Sequence, residues 1–140
     1  MKIIYDDIFE WEGWGGKLRL GSGRCNLRIF NIKGETADKP TPIKPIIVVV
    51  SDIPGGAMSV RSCAGHIATQ VTIGFDIDPH RMLYVEYYPT VVYGGNKKLE
   101  IPERYEAVEF TWREDKAIQP RWRPLSAPLV EMIERVLAGK

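Results

Sequence analysis

The sequence holds two histidines, His66 and His80, each beside groups that widen what an imidazole can do. His66 follows Cys63 by three residues. On a helix such side chains touch, and a neighbouring imidazolium lowers a thiol pKa toward that of a nucleophile. The helical wheel separates them. Cys63 falls on the apolar stripe with Val60, Ala64, Ile67, Ala68 and Val71, whereas His66 lies roughly 135° from its centre at about 100° per residue. Cys63 therefore reads as a small buried hydrophobe and His66 as an exposed or interface histidine. His80 alternates with Asp76 and Asp78, and Glu86 continues the same parity. Extended, these residues offer carboxylates and an imidazole for acid-base work or a divalent ion. Asp78-Pro79 is also an ordinary turn dipeptide, and a closed zinc site needs four ligands, so no metal is expected. His66, Asp78 and His80 are the catalytic candidates.

A second constellation is Pro54-Gly55-Gly56, running from a buried strand toward Ser59 and Arg61 at the head of a helical pattern. Unpaired N–H groups and the helix dipole favour an anion there, and Arg61 would reach a phosphate or carboxylate. Gly55, Gly56, Ser59 and Arg61 form the candidate anion site. The run matches neither a dinucleotide fingerprint nor a phosphate-binding loop with its lysine, and a plain turn explains the glycines equally.

Two further features concern surfaces. Residues 17 to 33 carry Lys17, Arg19, Arg24, Arg28 and Lys33 without an acidic residue. Alternate strand residues are about 6.8 Å apart, close to a single-strand phosphate spacing, so this ribbon is the nucleic-acid candidate. The acidic stretch Glu100, Glu103, Glu106, Glu109, Glu114 and Asp115 offers internal neutralisation instead. Trp112-Arg113 and Arg121-Trp122-Arg123 interleave indoles with guanidinium groups. Such a surface stacks on bases or anchors a protein partner, unless the tryptophans are core residues flanked by snorkelling arginines.

The elements that must position these groups follow from local pattern. Ile3 and Ile4 open an edge strand that ends in a loop by Gly15-Gly16. Ser22-Gly23 reads as a two-residue hairpin turn, placing Leu20 opposite Cys25, Arg19 opposite Asn26, Leu18 opposite Leu27 and Lys17 opposite Arg28. Lys33 to Pro45, with three prolines, is a surface loop. Ile46 to Val50 is an unbroken aliphatic run, the pattern of a strand covered on both faces. A helix over 59–74 and a strand over 81–88 complete a βαβ unit with parallel strands. Tyr93-Gly94-Gly95-Asn96 is a turn. Strands over 105–113 and 116–123 pair antiparallel through Glu114-Asp115, with Pro120 marking an edge. Ser126 caps a helix over 127–138 whose Leu125 and Val130 form a staple. The expected fold is one α+β domain spanning 1–140: a mixed, mainly antiparallel sheet with one βαβ crossover and two helices. Two helices leave part of such a sheet uncovered, which favours a homodimer.

Composition bounds the function. The chain has 140 residues, 19 Lys+Arg against 18 Asp+Glu, and two cysteines, Cys25 and Cys63. That balance argues against a dedicated membrane or nucleic-acid surface, and two thiols do not make a disulfide framework. The expectation is a cytoplasmic, non-enzymatic binding module without a cofactor, partnered by protein or by itself and not by a membrane. The alternatives are an enzyme for a phosphate-bearing or anionic small molecule at 54–61 and nucleic-acid binding through 17–33.

Overall fold

The computed structural model describes residues 2–11, 23–32, 44–54, 58–94 and 99–138. The aliphatic run becomes β3 (Ile46–Asp52), and its burial explains the architecture. Val48 and Val50 point into one apolar cluster and Ile47 and Val49 into another, so the strand is covered on both sides. It pairs antiparallel with β2 (Gly23–Asn31) and parallel with β4 (Met82–Tyr88). Beyond these lie β1 (Lys2–Trp11) on one side and β7 (Arg104–Arg113) and β8 (Lys116–Pro124) on the other, giving the order β1-β2-β3-β4-β7-β8. A separate hairpin joins β5 (Val91–Tyr93) to β6 (Leu99–Ile101). The mixed, mainly antiparallel α+β sheet is as expected.

Among the described residues, one α-helix serves each face. α1 (Ala64–Gly74) connects β3 to β4 and buries Ile67, Ala68 and Val71 against Leu27, Val48, Tyr84 and Val108. α2 (Ala127–Ala138) sets Met132, Ile133 and Val136 against Phe30, Ile47, Val49, Val85 and Tyr105. α2 spans the expected residues, and Leu125 and Val130 pack together with its cluster. α1 starts later than its apolar spacing suggests. Ser59 does cap a turn, its Oγ accepting from the N–H groups of Arg61 and Ser62 at 3.1 and 3.3 Å, but residues 60–63 are turn and the helix begins at Ala64. Its end is a Schellman closure: the Ile77 N–H donates to Thr72 and that of Asp76 to Ile73, with Asp76 at φ 53. An aspartate thus takes the left-handed position two residues beyond Gly74.

The partner of β2 differs from the local expectation. Cys25 faces Phe9, Asn26 faces Ile8, Leu27 faces Asp7 and Arg28 faces Asp6, all on β1, while β3 occupies the other edge. Both edges of Cys25 to Arg28 are thus taken by β1 and β3; Leu18, Leu20, Lys17 and Arg19, expected opposite them, lie outside the described residues. Gly23 is a strand residue rather than a hairpin corner. A Cβ there would sit 2.0 Å from Trp11 Cζ2, so glycine is what lets the fully buried indole lie on the backbone. On the opposite edge, α1 approaches β8 so closely that a Cβ on Gly65 would meet the Ala117 carbonyl at 2.9 Å. Thr69 Oγ1 clamps this contact, accepting from the Ala117 N–H at 2.9 Å.

Candidate functional site

β4 and β7 are paired only from Tyr84↔Val108 to Tyr88↔Arg104, and the two ends of this ladder carry the chemistry. From the middle of the ladder toward its Tyr88↔Arg104 end, the register sets Glu86 opposite Glu106 and then Tyr88 opposite Arg104. Like charges facing each other across strands repel, so each carboxylate needs compensation. Glu86 is fully buried. Its Oε1 accepts from Trp122 Nε1 at 2.7 Å and from the Tyr88 hydroxyl. Glu106 instead takes an ion pair from Arg61 Nη1, with Arg104 Nε at 4.0 Å. Arg61 links the halves: it donates to the Tyr88 hydroxyl at 3.4 Å, and its guanidinium lies 4.6 Å over the Trp122 ring. Burial drives the Glu86 carboxyl above its ordinary range despite the hydrogen bonds from Tyr88 and Trp122 that favour the charged form. Three buried atoms have no hydrogen-bond partner among the described residues: Trp11 Nε1, Glu86 Oε2 and the hydroxyl of Tyr84 two residues before Glu86.

At the other end the strands part. The ladder stops at Tyr84↔Val108, although β4 reaches back to Met82 and β7 continues to Arg113. At the same level the β7–β8 register shifts between Glu109 and Thr111, with Gln119 at φ 50 beside Pro120. A bulge bends its strand and increases local twist, which carries the hairpin away from β4. The result is a cleft of about 470 Å³ whose lining includes Lys44, His80, Glu109, Tyr84, Phe110 and Trp112. The three aromatic rings form an edge-to-face series, with centroids 5.2 Å apart for Tyr84–Phe110 and 5.9 Å for Phe110–Trp112. Phe110 and Trp112 are half-buried, so part of each ring is available to a ligand.

The structure disperses the candidates drawn from the sequence. Gly55 and Gly56 lie outside the described residues, as do Lys17 and Arg19. Ser59 caps its turn and Arg61 is engaged by a carboxylate, so the anion reading of 54–61 loses its cation. His66 is exposed and lines a groove of about 540 Å³ between α1 and β8. His80 belongs to the aromatic cleft, and Asp78 Oδ1 accepts from the His80 N–H at 2.9 Å, holding the short 3₁₀ turn Pro79–Arg81. The two histidines thus line different concavities, and among the described residues no three His, Cys, Asp or Glu side chains gather as metal ligands. Cys63 is buried beside Met58, with Sγ to Sδ 3.9 Å, and burial pushes the Cys25 thiol up to about 12.

The basic ribbon is answered from an unexpected place. Arg28 Nε pairs with Asp6 Oδ1 at 3.3 Å, and Arg24 faces Glu10 across the strands, so β1 supplies the neutralising charge rather than the acidic stretch at 100–115. That stretch has other partners: Glu109 pairs with Arg123 at 3.3 Å and Glu103 accepts from Tyr87 at 2.7 Å. Arg113, Arg121 and Arg123 are exposed, whereas Trp112 and Trp122 are half-buried against the α1-side cluster. The edge of β1 is partly closed by its own side chains, because the Ile8 N–H donates to Asp7 Oδ1 at 2.7 Å and the Ile8 carbonyl accepts from Tyr5 at the same distance.

Glu86, placed by parity in series with Asp76, Asp78 and His80, instead takes Trp122 and Tyr88 as its partners. Its signal was a lone carboxylate inside Met82–Tyr88, a segment otherwise apolar or aromatic. No protein-family model, no curated protein and no solved structure matches this chain. No helix among the described residues is long and apolar enough to cross a membrane.

Proposed function

We propose that the protein is a binding module whose ligand is a small planar aromatic or heteroaromatic molecule held in the cleft where β4 and β7 separate. The observation that carries this reading is the series Tyr84, Phe110 and Trp112 along one wall of a cleft of about 470 Å³. Ligand sites of this size combine apolar and aromatic walls with a few polar groups, and a planar ligand finds here both faces and edges of rings. Lys44 and His80 on the same lining, against Glu109 and Glu114, supply donors and acceptors of both signs for orientation. The α1–β8 groove is comparable in volume, but its lining, which includes Ser62, Gly65 and Thr69, presents no Phe, Tyr or Trp ring.

The reading is tested by titrating the protein with adenine and indole in isothermal titration calorimetry. At least one probe is expected to saturate, with affinity falling about tenfold or more in Trp112→Ala, since a stacked ring contributes about 1–3 kcal/mol. Failure of both probes to bind, or equal binding by Trp112→Ala, overturns it.

A further inference from the structure

The sealed end of the β4–β7 ladder is built like a receptor for the cation it already holds. Among the described residues, the groups that engage the Arg61 guanidinium come from the sheet: Trp122 from β8, Tyr88 from β4 and Glu106 from β7. Hydrogen bonds among sheet residues fix this frame, with Trp122 and Tyr88 both donating to the buried Glu86. Only the cation arrives from elsewhere, on the turn that precedes α1, and its side chain is 43% exposed. A second guanidinium, that of Arg104, lies 4.3 Å over the Tyr88 ring with its Nε 4.0 Å from Glu106. The frame therefore attracts planar cations from two separate parts of the chain. Beneath it, Glu86 Oε2 is buried with no partner among the described residues, which leaves acceptor capacity at a point already favourable to positive charge.

We propose that Trp122, Tyr88, Glu106 and Glu86 form a binding site for a guanidinium group, presented by an arginine side chain of a partner peptide, and that Arg61 occupies this site as an internal ligand until displaced. The Trp122 ring against its face, with the Tyr88 hydroxyl and the Glu106 carboxylate receiving its N–H groups, matches the two features that distinguish guanidinium from ammonium: a flat face that stacks and an edge of N–H donors. Exchange of one guanidinium for another conserves those contacts, so the competition is set by the effective concentration of Arg61 on its turn. Removal of Arg61 then raises affinity for an external guanidinium. An arginine that merely clamped the turn leaves the same vacancy when removed, so the wild-type chain must also respond to the arginine peptide for the site to be a receptor.

The experiment uses the full chain, with the Trp122 indole N–H signal assigned by its loss in Trp122→Phe. In Arg61→Ala, n-propylguanidinium is expected to shift that signal saturably at millimolar concentration and to recover part of the lost thermal midpoint. Propylammonium at equal concentration and ionic strength is expected to do neither. A short arginine-containing peptide is expected to act at about tenfold lower concentration than n-propylguanidinium, and its citrulline counterpart to be inert. Equal potency of peptide and n-propylguanidinium would keep the site but overturn the peptide as its source, assigning it to a free small guanidine. Whether or not Arg61→Ala folds, the same signal is followed in the wild-type chain, where the arginine peptide alone is expected to move it and its failure to do so overturns the receptor. No response to any guanidinium, or an equal response to propylammonium, overturns the proposal.

Discussion

The two ends of the β4–β7 ladder use the same strands in opposite ways. Around Glu86 and Glu106 the polar groups engage one another, Glu86 Oε2 excepted: two carboxylates, two rings and a guanidinium close the sheet under the turn before α1. Around Leu83 and Glu109 the strands separate, the rings of Phe110 and Trp112 stay half-buried, and a cleft opens. The difference shows how one antiparallel pair can be both a rigid support and a ligand wall. Charge opposite charge of the same sign forces the first end to recruit compensating partners, whereas the bulge between Glu109 and Thr111 lets the second end diverge.

The comparison is most severely tested at the sealed end. Glu86→Ala leaves Trp122 Nε1 and the Tyr88 hydroxyl without their acceptor and is expected to cost about 3 kcal/mol in urea unfolding. A loss below about 1 kcal/mol would mean that this network is not what closes the ladder. Trp112→Ala, at the open end, is expected to cost only about 1–2 kcal/mol by the same measurement, because the ring is half-buried. Equal losses for the two variants would erase the distinction between support and wall.

A smaller effect is expected with pH. Burial raises the folded-state pKa of Glu86 above its ordinary value of 4.5. The protonated carboxyl is thus favoured by folding. Its contribution is full below the ordinary value and is lost as pH rises through the raised one. The stability of Glu86→Gln relative to the wild type should therefore increase from pH 4 upward and then level off, as read from unfolding midpoints across that range. A difference that stays flat with pH would show that Glu86 is not the group responsible. Smallest of all is the exposed Asp6–Arg28 pair, remote from both ends. A double-mutant cycle should give at most about 0.5 kcal/mol, vanishing in high salt.

Much of the frame was legible locally. Ile46 to Val50 could only be a doubly covered strand, and Leu129, Ile133 and Val136 recur at helical spacing through α2. The β7–β8 hairpin, with Trp112 facing Ala117 and Arg113 facing Lys116, follows from two alternating runs around Glu114-Asp115. The partner of β2 was not legible from its own neighbourhood. Ser22-Gly23 satisfies a hairpin rule, yet Gly23 is required because Trp11 lies on it. A signal did exist in the charges, since Asp6 and Glu10 alternate on β1 as Arg24 and Arg28 do on β2, in the order an antiparallel pairing needs. Glu86 was visible as an odd residue in a buried strand, but nothing nearby in sequence announced Trp122 as its donor.

Periodicity is a local property, and by itself it determined the central strand, both helices, the parallel crossover and the final hairpin of this protein. Tertiary structure alone decided which strand lies beside β2, where the ladder between β4 and β7 ends, and that Arg61 meets a carboxylate 45 residues away. The reason is physical. A side chain's face is set by its own backbone dihedrals, whereas its partner is set by the mutual burial of surfaces that come together only as the whole chain folds.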